Sequence, residues 1–303
     1  MKASRFLAIA LILFVAASAA WAWYPPFRLL VLVAAGRSRV CSFSYAMRSD
    51  DNIKQVVRVK DRILQSSHLL EQKDGLELWD TPKGRYWIPK GNRYVLPFNL
   101  AEMERKVYGE GDIFVHPGDV VLDCGASDGD FSREALRAGA RLVVAIEIAP
   151  SNVECLRRNL AAEIAEGRAI VYPKGVWDKD DFLTLNVEDE NFAANSVVLR
   201  PEGAHTSVKV PLTTIDQIAA ELKLPRVDFI KMDVEGAEAR AIMGARNTIV
   251  NYKPRLAIAM EHNMDDEVNI PKVVHGVRPD YQVRCGPCLE AGTRIRADVL
   301  NFY

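Results

Sequence analysis

VVLDCGASDG, residues Val120 to Gly129, decides the fold. Its first residues are apolar and β-favouring, as in a strand buried on both faces, and Asp123 falls near the end of that run. Small residues follow, Gly125-Ala126-Ser127-Asp128-Gly129, and Phe131-Ser132-Arg133-Glu134-Ala135-Leu136 then opens a helix. A strand, a tight turn and a helix in that order form a nucleotide-binding βα unit. Gly125 and Gly129 carry no Cβ, so the backbone can close on a ligand. The helix aims its unpaired N–H groups at the same point.

Working outward, strand and helix signals alternate. Strands are expected at 120–124, 142–147, 169–172, 227–232 and 255–260. Helices are expected at 131–138, 151–165 with Ser151 as N-cap, 214–222 and 238–245. Stretches 281–284 and 294–302 supply two closing strands, and short alternating runs over 182–211 read as an antiparallel excursion. This is an α/β, Rossmann-like, doubly wound sheet of seven strands, assigned to residues 116–303. Ahead of it, residues 41–115 read as a linker and cap. A helix is expected within 48–68, a hairpin from 76–80 and 86–89 around Thr81-Pro82-Lys83-Gly84, and helical spacing over 100–108.

The first 40 residues differ in kind. Phe6 to Tyr24 is a run of nineteen residues without a charge, bounded by Trp21, Trp23 and Tyr24. That is the length of a membrane span with an interfacial aromatic end. Ala17-Ser18-Ala19 also fits a signal-peptidase site. Beyond Pro25-Pro26, a second apolar stretch at 29–35 could fold back as a re-entrant hairpin. The expectation is an anchor. A net charge of −1 gives no electrostatic reason for a nucleic-acid partner. Five cysteines at 41, 124, 155, 285 and 288 are scattered, and no disulfide framework is expected. Cys285-Gly-Pro-Cys288 lacks the second pair a four-thiolate zinc site needs, so it reads as a turn.

Three constellations could carry chemistry. The turn after strand one has Ser127 where the dinucleotide fingerprint wants its second glycine, at the pyrophosphate. Glu147, twenty-two residues beyond Gly125, is placed to accept from ribose hydroxyls. Together they favour an adenosine ligand without a diphosphate, namely S-adenosyl-L-methionine, with Asp123 facing its cationic end. Second, Lys231-Met232-Asp233-Val234-Glu235-Gly236-Ala237-Glu238 lies at the carboxyl end of strand four, beside strand one, where Asp233 points into the crevice. Third, Glu261-His262 ends strand five, a histidine beside acids that suits proton transfer. Asp233, Glu261 and His262 could alternatively hold a divalent ion, although no metal is assigned.

PGDVVLDCGASDGDFS, LTTIDQIAAELKLPRVDFIKMDVEGAE and the following Glu-His together resemble the FkbM family of S-adenosylmethionine-dependent methyltransferases, over about residues 76–262. The resemblance implies that Asp123, Gly125, Ala126, Gly129, Glu147 and Asp233 bind the cofactor. It implies that Asp233 lies near the methyl donor and that Glu235 and Glu238 shape the turn. An Asn commonly follows the Ala in that family's turn, where this chain has Ser127-Asp128. It further implies O-methylation of a sugar, glycolipid or related metabolite, and Asp233, His262 and Glu261 are the catalytic candidates. Because S-adenosylmethionine is cytosolic, an anchor with the domain facing the cytoplasm and a lipid-linked glycan acceptor follow. The rivals are an NAD-dependent oxidoreductase and a membrane-tethered, non-catalytic binding module.

Overall fold

Seven strands make the central sheet: β1 (Val120–Cys124), β2 (Leu142–Ile146), β3 (Ala169–Tyr172), β4 (Phe229–Met232), β5 (Arg255–Ala259), β6 (Val283–Cys285) and β7 (Val299–Phe302). The computed structural model describes residues 2–188, 196, 198 and 205–303. The order across the sheet is β6-β7-β5-β4-β1-β2-β3, with β7 antiparallel to both neighbours and β1 to β5 parallel. From β1 the chain moves to β2 and β3 on one side, then returns to β4 and β5 on the other. The crevice outside β1 and β4 is therefore the topological switch point, where ligands bind in such sheets. Register sets Lys231 opposite Asp123 across that seam.

The buried runs follow from composition. β1 and β4 are buried at every position, because helices cover both faces. Two apolar cores result, one on each side of the sheet. The first includes Leu122, Ile230, Ile258 and Leu300; the second includes Val121, Phe131, Val143 and Phe229.

Several boundaries differ from expectation. Pro150 begins the helix Pro150–Asn159, with Ala149 and not Ser151 as N-cap, since proline's fixed φ suits the first helical position. Thr214 caps Ile215–Glu221 by accepting Gln217 N–H at 3.0 Å. The stretch 294–302 is not one strand. Asp298 turns to donate its N–H to Pro287 O, so Arg294–Ala297 pairs with Cys288–Ala291 in a separate hairpin and only β7 joins the sheet. The cap holds three antiparallel strands, His68–Lys73, Leu76–Thr81 and Gly84–Pro89, and its helix runs Val95–Glu104. Tyr86, Ile88, Leu96 and Leu100 form its core with Ile63 of the helix Ser49–Gln65. In the excursion, Asp181–Glu188 pairs with His205–Thr213. Of the runs expected over 182–211, residues 189–195, 197 and 199–204 lie outside the described residues.

Among the described residues, one helix, with Phe6–Trp23 as its apolar window, is long and apolar enough to cross a membrane, and it lies near the N-terminus. Phe14 and Trp23 are 71% and 86% exposed. The second apolar stretch behaves differently. Helix Pro25–Ala34 buries Leu29 and Leu32 in the main core, and Arg28 Nη2 donates to Glu290 Oε2 at 2.8 Å. It packs on the domain through these two leucines.

The cysteines correct the sequence reading. Cys41 and Cys288 are bonded, S–S 2.04 Å, while Cys285 stays a thiol that donates to Val40 O at 3.0 Å. A separation of 247 residues conceals the pair in sequence. The bond ties the segment after Pro25–Ala34 to the late hairpin. Reduction is expected to cost about 2–4 kcal/mol, read as a lowered denaturant midpoint with reductant that the Cys41→Ser variant does not show.

Candidate active site

Gly125 sits at φ +78°, and a Cβ there would stand 1.8 Å from Asp233 O. The loops after β1 and β4 touch at this glycine. Gly125→Ala is expected to cost roughly 2–5 kcal/mol, combining overpacking with left-handed strain, measurable as a lower unfolding midpoint. Gly129 serves differently: a Cβ on it would press within 3.0 Å of Leu156 Cδ2, so it permits helix packing. Ser127 is left-handed at φ +50°, held by its N–H donating to Glu147 Oε2 at 2.8 Å. Glu147 Oε1 accepts from Ile148 N and Ala149 N at 2.8 and 2.7 Å. The carboxylate thus braces the loops after β1 and β2, and Oε2 keeps a further lone pair.

Across the β1–β4 seam, Lys231 Nζ donates to Gly125 O at 2.7 Å and lies 3.4 Å from Asp123 Oδ1 and 3.8 Å from Asp233 Oδ2. Burial opposes its charge, but Asp123, Asp233 and Asp130 outweigh burial and hold its pKa above the usual lysine value. Asp123 is fully buried and accepts from Ser132 Oγ at 2.7 Å. Tyr108 O–H donates to Asp233 Oδ2 at 2.7 Å. Burial would raise the Asp233 pKa, yet Lys231, His262 and Tyr108 bring it below the ordinary value.

His262 lies among three carboxylates. Its Nε2 is 3.5 Å from Asp233 Oδ1 and 3.4 Å from Glu235 Oε2, and Nδ1 is 2.9 Å from Glu238 Oε1. The Nδ1 contact is an ion pair whose angle falls outside hydrogen bonding. Burial disfavours the imidazolium, but Glu235, Glu238 and Asp233 push the pKa up to about 12. His262 is therefore protonated at neutral pH. Glu238, 1% exposed, also braces the turn by accepting from Val234 N at 3.0 Å. Glu235 is held left-handed at φ +52°, a strain of the kind found at functional sites. Asp233, Glu238 and His262 bring one donor atom each within 4.8 Å of one another, a set of metal-ligating type that excludes Glu261. Glu261 instead accepts from Arg296 Nη2 at 2.8 Å.

Two cavities meet here. A slot is lined by Gly125, Ser127, Glu147, Ile148, Asn152 and Asp233, with Val176, Leu185 and Leu212 giving an apolar end. A larger cavity of about 350 Å³ is lined by Tyr94, Phe98, Asn99, Glu102, Asp130 and Lys231, among others. Gly125, Ser127, Asp233 and Glu235 face both.

The methyltransferase FkbM domain profile matches residues 123–285, more than half of the chain. The chain belongs to the FkbM methyltransferase family. The family's cofactor, S-adenosyl-L-methionine, comes with that membership. Among solved structures, it is similar to an FkbM methyltransferase from Methylobacillus flagellatus KT, at 20% identity over 84% of this chain and TM-score 0.48. The match spans 60% of the Methylobacillus chain. It is also similar to M. jannaschii TYW2 in complex with AdoMet, at 15% identity, 78% of this chain, 88% of that chain and TM-score 0.41. A third likeness is a precorrin-6y C5,15-methyltransferase from Geobacter metallireducens GS-15, at 14% identity, 68% and 85% coverage and TM-score 0.38. No curated protein matches the chain in sequence.

The residues present suit the family's cofactor. Glu147 Oε2 has a free lone pair at the slot, the apolar end accepts a flat ring, and Ser127 Oγ is buried without a partner. Of the six residues expected around the cofactor, Gly125, Glu147 and Asp233 line the slot. Asp123, Ala126 and Gly129 are not among its lining residues. Asp233 and His262 come together; Glu261 lies at the edge of the larger cavity. Sequence reasoning passed over Glu102, Asp130 and Tyr108 as site residues. The DGD spacing that repeats an acid at 130 was the available signal for Asp130; nothing marked Glu102.

Proposed function

We propose that this FkbM-family enzyme moves the methyl group of S-adenosylmethionine to a hydroxyl oxygen of a sugar, glycolipid or related acceptor near a membrane. The observation that carries this reading is the meeting of the two cavities at Asp233. The cofactor occupies the slot, with Glu147 at its ribose, and the acceptor occupies the larger cavity. When bound, the cofactor supplies an electrophilic methyl on a sulfonium. The protein aligns the acceptor oxygen in line with it and excludes water, which is the main source of rate in such transfers.

Asp233 takes the proton. His262 is already charged, so of the two bases expected from sequence only Asp233 is free to accept. A low pKa does not disqualify it, because a hydroxyl gaining a methyl becomes an oxonium far more acidic than a carboxylic acid. Tyr108 and His262 orient Asp233, and Glu261 stands at the cavity edge. Isothermal titration separates the rivals: S-adenosylmethionine should bind and NAD should not. NAD binding alone would replace this reading with the oxidoreductase, and neither binding would leave the non-catalytic module. Labelled methyl transfer into extracted lipids and glycans then identifies the acceptor.

For the compartment, the proposal is an anchor at Phe6–Trp23 with the catalytic domain on the cytoplasmic side, where the cofactor is made. The Cys41–Cys288 bond favours a second reading, since disulfides persist in oxidising compartments. Protease protection on sealed vesicles decides between them. A cytoplasmic domain is digested; a protected one places the enzyme across the membrane.

A further inference from the structure

We propose that the cleft between the cap and the antiparallel edge of the sheet is a phosphate-binding site. It takes the phosphate group of a lipid headgroup or of a soluble phosphate ester.

This cavity of about 260 Å³ shares no lining residue with the two that meet at Asp233, so it stands apart from the methyltransferase reading. Four cations line it, Arg48, Arg105, Lys106 and Arg284, against a single carboxylate, Glu110. The chain as a whole has a net charge of −1, so the excess is local. Three parts of the chain bring these cations together. Arg48 precedes the helix Ser49–Gln65, Arg105 and Lys106 follow the cap helix Val95–Glu104, and Arg284 lies in β6. Glu110 lies 3.7 Å from Lys106 Nζ. Arg48, Arg105 and Arg284 have no carboxylate within 4.0 Å among the described residues. Asp298 and Glu102 act on Arg105 from farther off.

Two unpartnered polar groups point to a ligand. Asn301 is 1% exposed, stands opposite Arg284 in the β6–β7 register, and leaves both Oδ1 and Nδ2 without a partner. A Cβ on Gly109, another lining residue, would come 3.2 Å from Asn301 Oδ1, which puts the amide at the cavity wall. With neither atom held, nothing fixes the turn of the amide, and its N–H₂ is free to donate to an anion. Arg105 Nη2 donates to Asn52 Oδ1 at 3.2 Å, while Nη1 is buried with no partner. A buried donor left unmade costs stability that a bound oxygen restores. Phosphate suits this set: it carries up to about two negative charges, offers several acceptor oxygens and matches the guanidinium fork. A carboxylate brings one charge and two oxygens. The segment holding Tyr45 and Arg48 follows the apolar helix and Pro25–Ala34, which brings a lipid headgroup in as one source.

The test uses the full chain in detergent micelles and phosphate-free buffer. Isothermal titration compares inorganic phosphate with acetate at matched ionic strength. Native mass spectrometry counts phosphatidic acid and diacylglycerol retained from doped micelles. Phosphate should bind at least about 10-fold tighter than acetate, the scale of a hydrogen bond to a charged group. The double variant R48Q/R284Q changes two exposed residues. It should weaken binding by about 10-fold or more and leave cofactor affinity and the unliganded melting temperature unchanged. Asn301→Asp, which sets a carboxylate where the phosphate would lie, should abolish binding; if that variant does not fold, R48Q/R284Q decides alone. Phosphatidic acid retained over diacylglycerol names a lipid headgroup as the source, and phosphate binding without that retention names a soluble ester. Neither phosphate nor phosphatidic acid bound, acetate bound as tightly as phosphate, or binding that survives intact in either variant would each overturn the proposal. Failure of the cofactor to bind would overturn the methyltransferase reading and leave this one standing.

Discussion

Asp233→Asn is expected to lower kcat by about 10²–10⁴, the contribution of a positioned proton acceptor, while S-adenosylmethionine still binds. Asparagine keeps the shape and can still accept from Tyr108 O–H, which reaches Asp233 Oδ2 at 2.7 Å. What it loses is the negative charge facing both the sulfonium and the leaving proton. The pH profile gives an independent check. The Asp233 pKa is lowered by Lys231, His262 and Tyr108, so the carboxylate stays ionised through neutral and mildly acid pH. At saturating acceptor, kcat should therefore stay flat from about pH 8 to pH 5 and fall only below the ordinary aspartate value near 4. A kcat that falls with a midpoint between 6 and 7 would return the proton to a neutral histidine and remove Asp233 from the role.

The largest effect on stability is expected for His262→Ala. The side chain is 5% exposed and sits against Asp233, Glu235 and Glu238. Removing it strips the only cation within 4.0 Å of Glu235 and Glu238 among the described residues, and Glu238 is buried. Breaking a buried pair from one side costs about 3–5 kcal/mol, measured by denaturant unfolding. The sign with pH follows from the pKa, which rises from 6.5 to about 12 on folding. A raised pKa means that the folded state holds the proton more tightly. The stabilisation is full below pH 6.5, declines as pH climbs, and is gone above about 12. The gap between wild type and His262→Ala should accordingly narrow from pH 6.5 upward. A constant gap would mean that the imidazole acts by packing alone.

These outcomes depend on contacts that sequence reading reached unevenly. The strands β1 to β5 were legible because parallel strands covered on both faces read as unbroken apolar runs. Helix starts were less so: proline at 150 outcompeted the serine beside it. The two closing strands were placed but blurred, since one turn at Asp298 divides a stretch that reads as continuous. Gly125, Glu147 and Asp233 line the slot, and spacing pointed to them because each lies at a strand end, where the crevice is expected. His262 was expected beside acids, and it lies 3.5 Å from Asp233 Oδ1. Three carboxylates from the loop after β4 decide its protonation, and no spacing rule reports that they converge on it.

What the sequence determined by itself was the order of strands, the turn that spares one glycine, and hence a nucleotide site without a diphosphate. Those follow from local periodicity and backbone freedom, which neighbouring residues specify. Only the tertiary structure decided which acids meet which cations, that Cys41 finds Cys288, and that the helix Pro25–Ala34 docks on the domain. Electrostatic pairing and burial act over a few ångströms in space, between residues up to 262 positions apart along the chain, and the linear pattern carries no record of that distance.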